Sequence, residues 1–161
     1  MKKQTRKENT VPHRESAIMT IFVSACLLGV CCRYDGQSKP NRKVIGMLGK
    51  HTLIPVCPEV FGGLKTPRLP AERIGARVIC KDGTDVTENY VRGAEEVLKL
   101  AKLYNCRLAI LKERSPSCGN GSIYDGSFGG VLTDGDGVLA ALLKATDIEV
   151  IGESDFRIDM L

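Results

Sequence analysis

A chain of 161 residues with 43% hydrophobic and 26% charged residues is long enough to bury a core as one domain, without disulfide staples. Its composition excludes a disordered chain, and it contains no apolar run of the length that spans a bilayer. The formal net charge of +4 is concentrated in residues 1–15, where Lys2, Lys3, Arg6, Lys7 and Arg14 face only Glu8 and Glu15. The remainder is close to neutral, which argues against a general nucleic-acid surface and leaves a flexible basic tail. Residues 16–161 are expected to form a single domain.

Ala17–Cys26 is a continuous apolar run with β-branched residues and reads as a buried strand, followed by the turn-rich RYDGQSKPN. The run AIMTIFVSACLLGVCC is too short, and too soon followed by RYDG, for a signal peptide, so a cytoplasmic location is expected. Pro40 and Asn41 mark a helix entrance, with Val44, Ile45 and Leu48 on one face and Gly46 and Gly49 weakening it. Leu53–Cys57 reads as a second strand, and residues 58–75 as a long shaped loop without period 2 or 3.6. Arg77–Cys80 is a short strand into an Asp82–Gly83 turn.

The clearest helix opens at Thr87 as a cap and places Val91, Ala94, Val97, Leu98, Ala101 and Tyr104 on one face. Arg107–Lys112 is the next strand, residues 115–130 a glycine-rich loop, Val138–Lys144 a helix and Ile148–Gly152 a last strand. This order predicts an α/β fold with a mostly parallel central sheet and helical crossovers, a Rossmann-like three-layer architecture.

The seven cysteines are an odd number in a chain without a secretory signal, which disfavours a disulfide framework. Cys26 and Cys57 end the first two strands, and Cys118 lies in the loop after Arg107–Lys112. Ligands of open α/β sheets collect outside the carboxyl ends of the strands, so these three thiols fall on one edge. Cys80 and Cys106 do not share that placement and are left out of the site. Several chemistries remain open: ordinary buried thiols, thiol redox chemistry, a zinc site completed by Cys31 or Cys32, or an iron–sulfur cluster with one iron lacking a protein ligand. Only His13 and His51 are available as imidazole ligands, and neither lies in the motif-bearing loops.

Polar residues surround the three cysteines. Glu59 stands two residues after Cys57, and Ser115 and Ser117 flank Cys118 as hydroxyls able to orient a substrate or pass a proton. Arg33, Tyr34 and Asp35 lie near the first strand end, and Asn120, Ser122, Tyr124 and Asp125 occupy the glycine-rich loop. Asp35–Gly36 and Asp125–Gly126 read equally well as turns. No GxGxxG, GxxxxGK[ST] or Ser–His–Asp arrangement is present.

SACLLGVCCRYDG, PVCPEVFGGLKTPR, DVTENYVRGA, AILKERSPSCG and IYDGSFGG together resemble the family known as domain of unknown function 523 (DUF523), whose members are thiouracil desulfidases. The resemblance implies an oxygen-sensitive [4Fe-4S] cluster on Cys26, Cys57 and Cys118, with Glu59 and Ser115 as catalytic residues. Cys32 matches a frequent family position that does not bind the cluster. The implied reaction is hydrolytic desulfuration of a small thiolated base or nucleoside, with sulfide released or passed to an acceptor. The chain's end at Leu161 points to a small compound rather than a folded RNA. The alternative is a zinc- or cluster-stabilised binding or sulfur-trafficking protein.

Overall fold

In the computed structural model, which describes residues 17–157, 159 and 161, the chain runs β1 (Thr20–Ser24), a 3₁₀ turn (Ala25–Leu28), α1 (Arg42–Ile45), β2 (Thr52–Val56) and α2 (Pro58–Phe61). It continues through β3 (Ala71–Ile74), β4 (Arg77–Cys80), α3 (Thr87–Leu103) and β5 (Leu108–Leu111). β6 (Ser122–Tyr124), β7 (Leu132–Asp134), α4 (Val138–Lys144) and β8 (Glu149–Gly152) complete it. The expected basic tail, residues 1–15, lies outside the described residues.

Alternation along the strands divides the core in two. Ile21 and Val23 of β1, with Leu108 and Ile110 of β5, pack on one face against Val44, Met47 and Phe156. Phe22, Ala109 and Leu111 point the other way, under Ala94, Val97 and Ala101 of α3 and Leu139 and Leu143 of α4. The sheet has the order β2-β1-β5-β8, and its three pairings are parallel. The α/β, Rossmann-like three-layer expectation is therefore met. β5 is buried at all four positions, as a strand covered on both faces must be. Pro55 is tolerated because β2 is an edge strand.

Several expectations need correction. The first strand stops at Ser24, because the chain then coils into the 3₁₀ turn and closes at Gly29 with φ 97°. Asn41 does cap α1, accepting from the Lys43 and Val44 amides, but that helix lasts a single turn before Gly46. Residues 58–75 are not all loop: α2 starts them, and β3 near their end pairs antiparallel with β4. Within the expected 115–130 loop lies β6, which pairs antiparallel with β7 just beyond it. Thr87 does not cap α3: Val86 holds the N-cap position without a side-chain bond, and Asp85 before it accepts from the Thr87 amide at 2.9 Å. The buried α3 face runs Tyr90, Gly93, Ala94, Val97, Ala101, leaving Val91 and Tyr104 exposed.

Gly93 explains that rotation. A Cβ there would stand 1.7 Å from the Pro58 carbonyl oxygen, and one at Gly62 would stand 2.0 Å from the Asn89 carbonyl oxygen. α2 and α3 thus cross backbone to backbone, which fixes the short segment carrying Cys57 and Glu59. Gly93→Ala is expected to force them apart and lower stability by about 1–3 kcal/mol, read as an earlier urea midpoint. An unchanged midpoint would contradict the crossing. Among the described residues no helix is long and apolar enough to cross a membrane.

Candidate functional site

The sheet order makes a crevice. From β1 the chain passes to β2 on one side, and later returns to β5 on the other, so the strand order reverses between β1 and β5. Such switch points are where open α/β sheets take ligands. Ser24 Oγ accepts from the Lys112 amide at 2.8 Å and ties the two strand ends together. Cys26 follows β1 within the 3₁₀ turn, Cys57 follows β2 as the N-cap residue of α2, and Cys118 lies in the loop after β5. All three line one cavity of ≈ 450 Å³, within the roughly 300–1,000 Å³ of small-molecule sites. Cys118 is the most deeply placed, 4% exposed.

All seven cysteines are free thiols. Burial pushes Cys118 up to about 12, opposed by the Ser24 and Ser117 hydroxyls. Cys57 is raised by hydrogen bonding with the Cys32 thiol and then by burial, and Cys32 chiefly by the Cys26 thiol. Soft metal would displace these protons on binding. Among the described residues, no three His, Cys, Asp or Glu side chains stand close enough to hold one metal ion. An iron–sulfur cage takes each thiolate on a different iron and needs no convergence on one point. Cys26, Cys57 and Cys118, from three separate segments and lining one cavity, are a donor set of the kind such a cage takes.

Glu59, in the first turn of α2, faces the same cavity. Its Oε1 accepts from Tyr90 OH at 2.8 Å and from Arg68 Nε at 3.1 Å. Its Oε2 accepts from Ser117 Oγ at 3.0 Å. Arg68 also donates to the Cys32 carbonyl at 2.8 Å and to the Lys65 carbonyl and Thr66 hydroxyl at 3.1 Å, so one buried guanidinium joins the cysteine loop to the carboxylate. Burial, then the Glu59 charge, raises the Tyr90 phenol, which keeps it a donor. Ser115 lines the cavity, and its Oγ accepts from the Ser117 and Cys118 amides at 3.2 and 3.1 Å.

The remaining predicted residues separate. Arg33, Tyr34 and Tyr124 line the cavity. Asp35 and Asp125 serve turns, accepting from the Gln37 and Ser127 amides, and Asn120 donates to the Val150 carbonyl. Cys80 packs with Val78 and Tyr90, and Cys106 points its Sγ at the Leu108 carbonyl, 3.1 Å away. Neither lines the cavity. His51 accepts from the Met19 amide at 3.3 Å, and His13 lies outside the described residues.

Sequence reasoning missed Arg68, Tyr90 and Glu72. Glu72, 8% exposed, lines the cavity and holds the β6–β7 connection by accepting from the Gly126 and Phe128 amides at 2.8 and 3.0 Å. For Tyr90 a signal existed: it leads the helical series Tyr90, Ala94, Val97, Ala101 with a polar tip on an apolar face.

Comparison with known proteins adds three findings. A family model described as 2-thiouracil desulfurase matches residues 21–155. YbbK, an uncharacterised protein of Bacillus subtilis (strain 168), is 43% identical over 147 residues, 85% of this chain and 97% of its own length. The solved structure of the [4Fe-4S]-dependent thiouracil desulfidase TudS is similar with a TM-score of 0.79 and 48% identity, covering 84% of this chain and 91% of that one.

Proposed function

The chain belongs to the DUF523, or 2-thiouracil desulfurase, family, and on that premise we propose that it removes sulfur from a thiolated pyrimidine by hydrolysis, at a [4Fe-4S] cluster held by Cys26, Cys57 and Cys118. What carries the reading is one cavity lined by the free thiols of Cys26, Cys57 and Cys118, with Cys32 beside them, and by a fixed carboxylate. The cavity lining falls between Ser24 and Gly130, and the free thiols suit a reducing cytoplasm.

When bound, the cluster supplies a Lewis-acidic iron without a protein ligand, which draws electron density from a thiocarbonyl through its sulfur. Everything else falls to the chain. Glu59, its Oε1 pinned by Arg68 and Tyr90, keeps Oε2 directed at Ser117 and takes up the proton lost by the attacking water. Ser115 orients that water at the cavity wall. Tyr34 and Tyr124 offer apolar ring faces and phenol tips to a planar base. Water replaces sulfur at the ring carbon and leaves a carbonyl and sulfide, with no net electron transfer.

The test is turnover. Anaerobically reconstituted protein is expected to convert 2-thiouracil or 4-thiouracil to equal amounts of uracil and sulfide. Cluster-loaded protein that releases neither from any thiolated pyrimidine would overturn the desulfidase reading in favour of sulfur trafficking.

A further inference from the structure

Ser117 is 1% exposed and does not line the cavity, although Ser115, Pro116 and Cys118 around it do. It cannot touch a substrate, yet its hydroxyl lies between Glu59 Oε2, at 3.0 Å, and Ser115 Oγ, at 2.9 Å. A hydroxyl has one hydrogen. The carboxylate is the stronger and nearer acceptor for Ser117 than Cys118 Sγ, 3.7 Å away, so that hydrogen is committed to Glu59. The 2.9 Å contact is then closed by the Ser115 hydrogen. The chain of donors has one direction: Ser115 to Ser117 to Glu59.

The serine loop is also held rigidly. The Ser117 carbonyl accepts from the Leu139 and Ala140 amides at 2.8 and 3.3 Å, and the Pro116 carbonyl from the Val138 amide at 2.9 Å. Gly137 presses so closely that a Cβ there would stand 2.4 Å from the Ser117 carbonyl carbon. The first turn of α4 therefore fixes the loop's backbone, and two backbone amides already point at Ser115 Oγ.

Resting on the desulfidase reading, we propose that Ser117 is a positioning residue that makes Ser115 and Glu59 one proton-transfer unit. A cavity water gives a proton to Ser115 Oγ as Ser115 passes its own to Ser117 and Ser117 passes its own to Glu59 Oε2. Each hydroxyl gains one proton and loses one, the water becomes the hydroxide that adds to the ring carbon, and Glu59 holds the proton for return to the ring or departing sulfur. As proton density leaves Ser115, the Ser117 and Cys118 amides stabilise the charge left on Oγ.

Ser117→Ala and Ser117→Thr test this, in the reconstituted enzyme and in the metal-free protein. Ser117→Ala is expected to lower kcat about 100-fold with KM unchanged, and Ser117→Thr, which keeps the hydroxyl, to restore most of it. Adding Ser117→Ala to Ser115→Ala should cost little more than Ser115→Ala alone, because a broken chain cannot be broken twice. In metal-free protein, the Glu59 carboxylate infrared band, identified by its loss in Glu59→Gln, should shift in Ser117→Ala and not in Ser117→Thr. Parental kcat in Ser117→Ala, or an unmoved band, would overturn the relay while leaving the desulfidase reading intact. Absence of turnover in the parent protein would overturn both.

Discussion

Cys118→Ala is expected to yield a folded protein that retains no stoichiometric iron or acid-labile sulfide and has no measurable desulfidase activity. Cys118 is 4% exposed and sits against the apolar core with Phe22 and Leu139. Exchanging its thiol for a methyl removes a single sulfur from that packing, so stability should fall by only about 1 kcal/mol. The loss at the proposed cluster would be of a different order, since only Cys26 and Cys57 of its three ligands would remain. Cys32→Ala is the informative contrast. That thiol lies in the same cavity, beside Cys26 and Cys57, yet follows no strand of the sheet, and its removal should leave iron content intact. Circular dichroism establishes that both variants fold, and iron and sulfide analysis after anaerobic reconstitution reads the result. Equal iron loss in both variants would make Cys32 a fourth ligand and close the open position.

Glu59→Gln should behave in the opposite way, keeping its iron and losing its chemistry. Glutamine preserves the shape of the side chain and can still accept at one oxygen from Tyr90 and Arg68. Its amide group cannot accept from the Ser117 hydroxyl or take a proton from water. The expected fall in kcat is about 10²–10⁴-fold, or about 2.7–5.5 kcal/mol of barrier, with KM little changed because substrate binding at the proposed cluster would not pass through Glu59. Iron content and steady-state kinetics on the same sample separate this from cluster loss. Undiminished kcat with a full complement of iron would remove Glu59 from the reaction.

The architecture was legible where burial imposes a strong pattern. β1 and β5 are apolar on both faces, and their unbroken hydrophobic runs revealed a parallel sheet and, with it, the edge on which Cys26, Cys57 and Cys118 fall. The hairpins were not legible because they are nearly free of that constraint. β7 is exposed at all three positions, and β3 carries Glu72 and Arg73 side by side. The rotation of α3 was hidden for another reason. It depends on the Gly93–Pro58 approach, a contact between backbones that leaves no hydrophobic period.

The same division runs through the site. That Glu59 and Ser115 would line the same cavity as the cysteines was legible because each lies near a cysteine in the sequence. Arg68 lies in an aperiodic segment, and its function comes from bonds to residues 9 and 36 positions away. Ser117 was visible as a hydroxyl beside Cys118, but its place between Glu59 and Ser115 depends on how α4 pins the loop.

Anomalous diffraction at the iron absorption edge, from crystals grown and frozen without oxygen, locates the irons. The proposed site requires a compact four-iron peak between the sulfurs of residues 26, 57 and 118, with one iron facing the carboxylate and bound by no side chain. A peak elsewhere on the molecule, or a fourth cysteine sulfur bonded to that last iron, would contradict it.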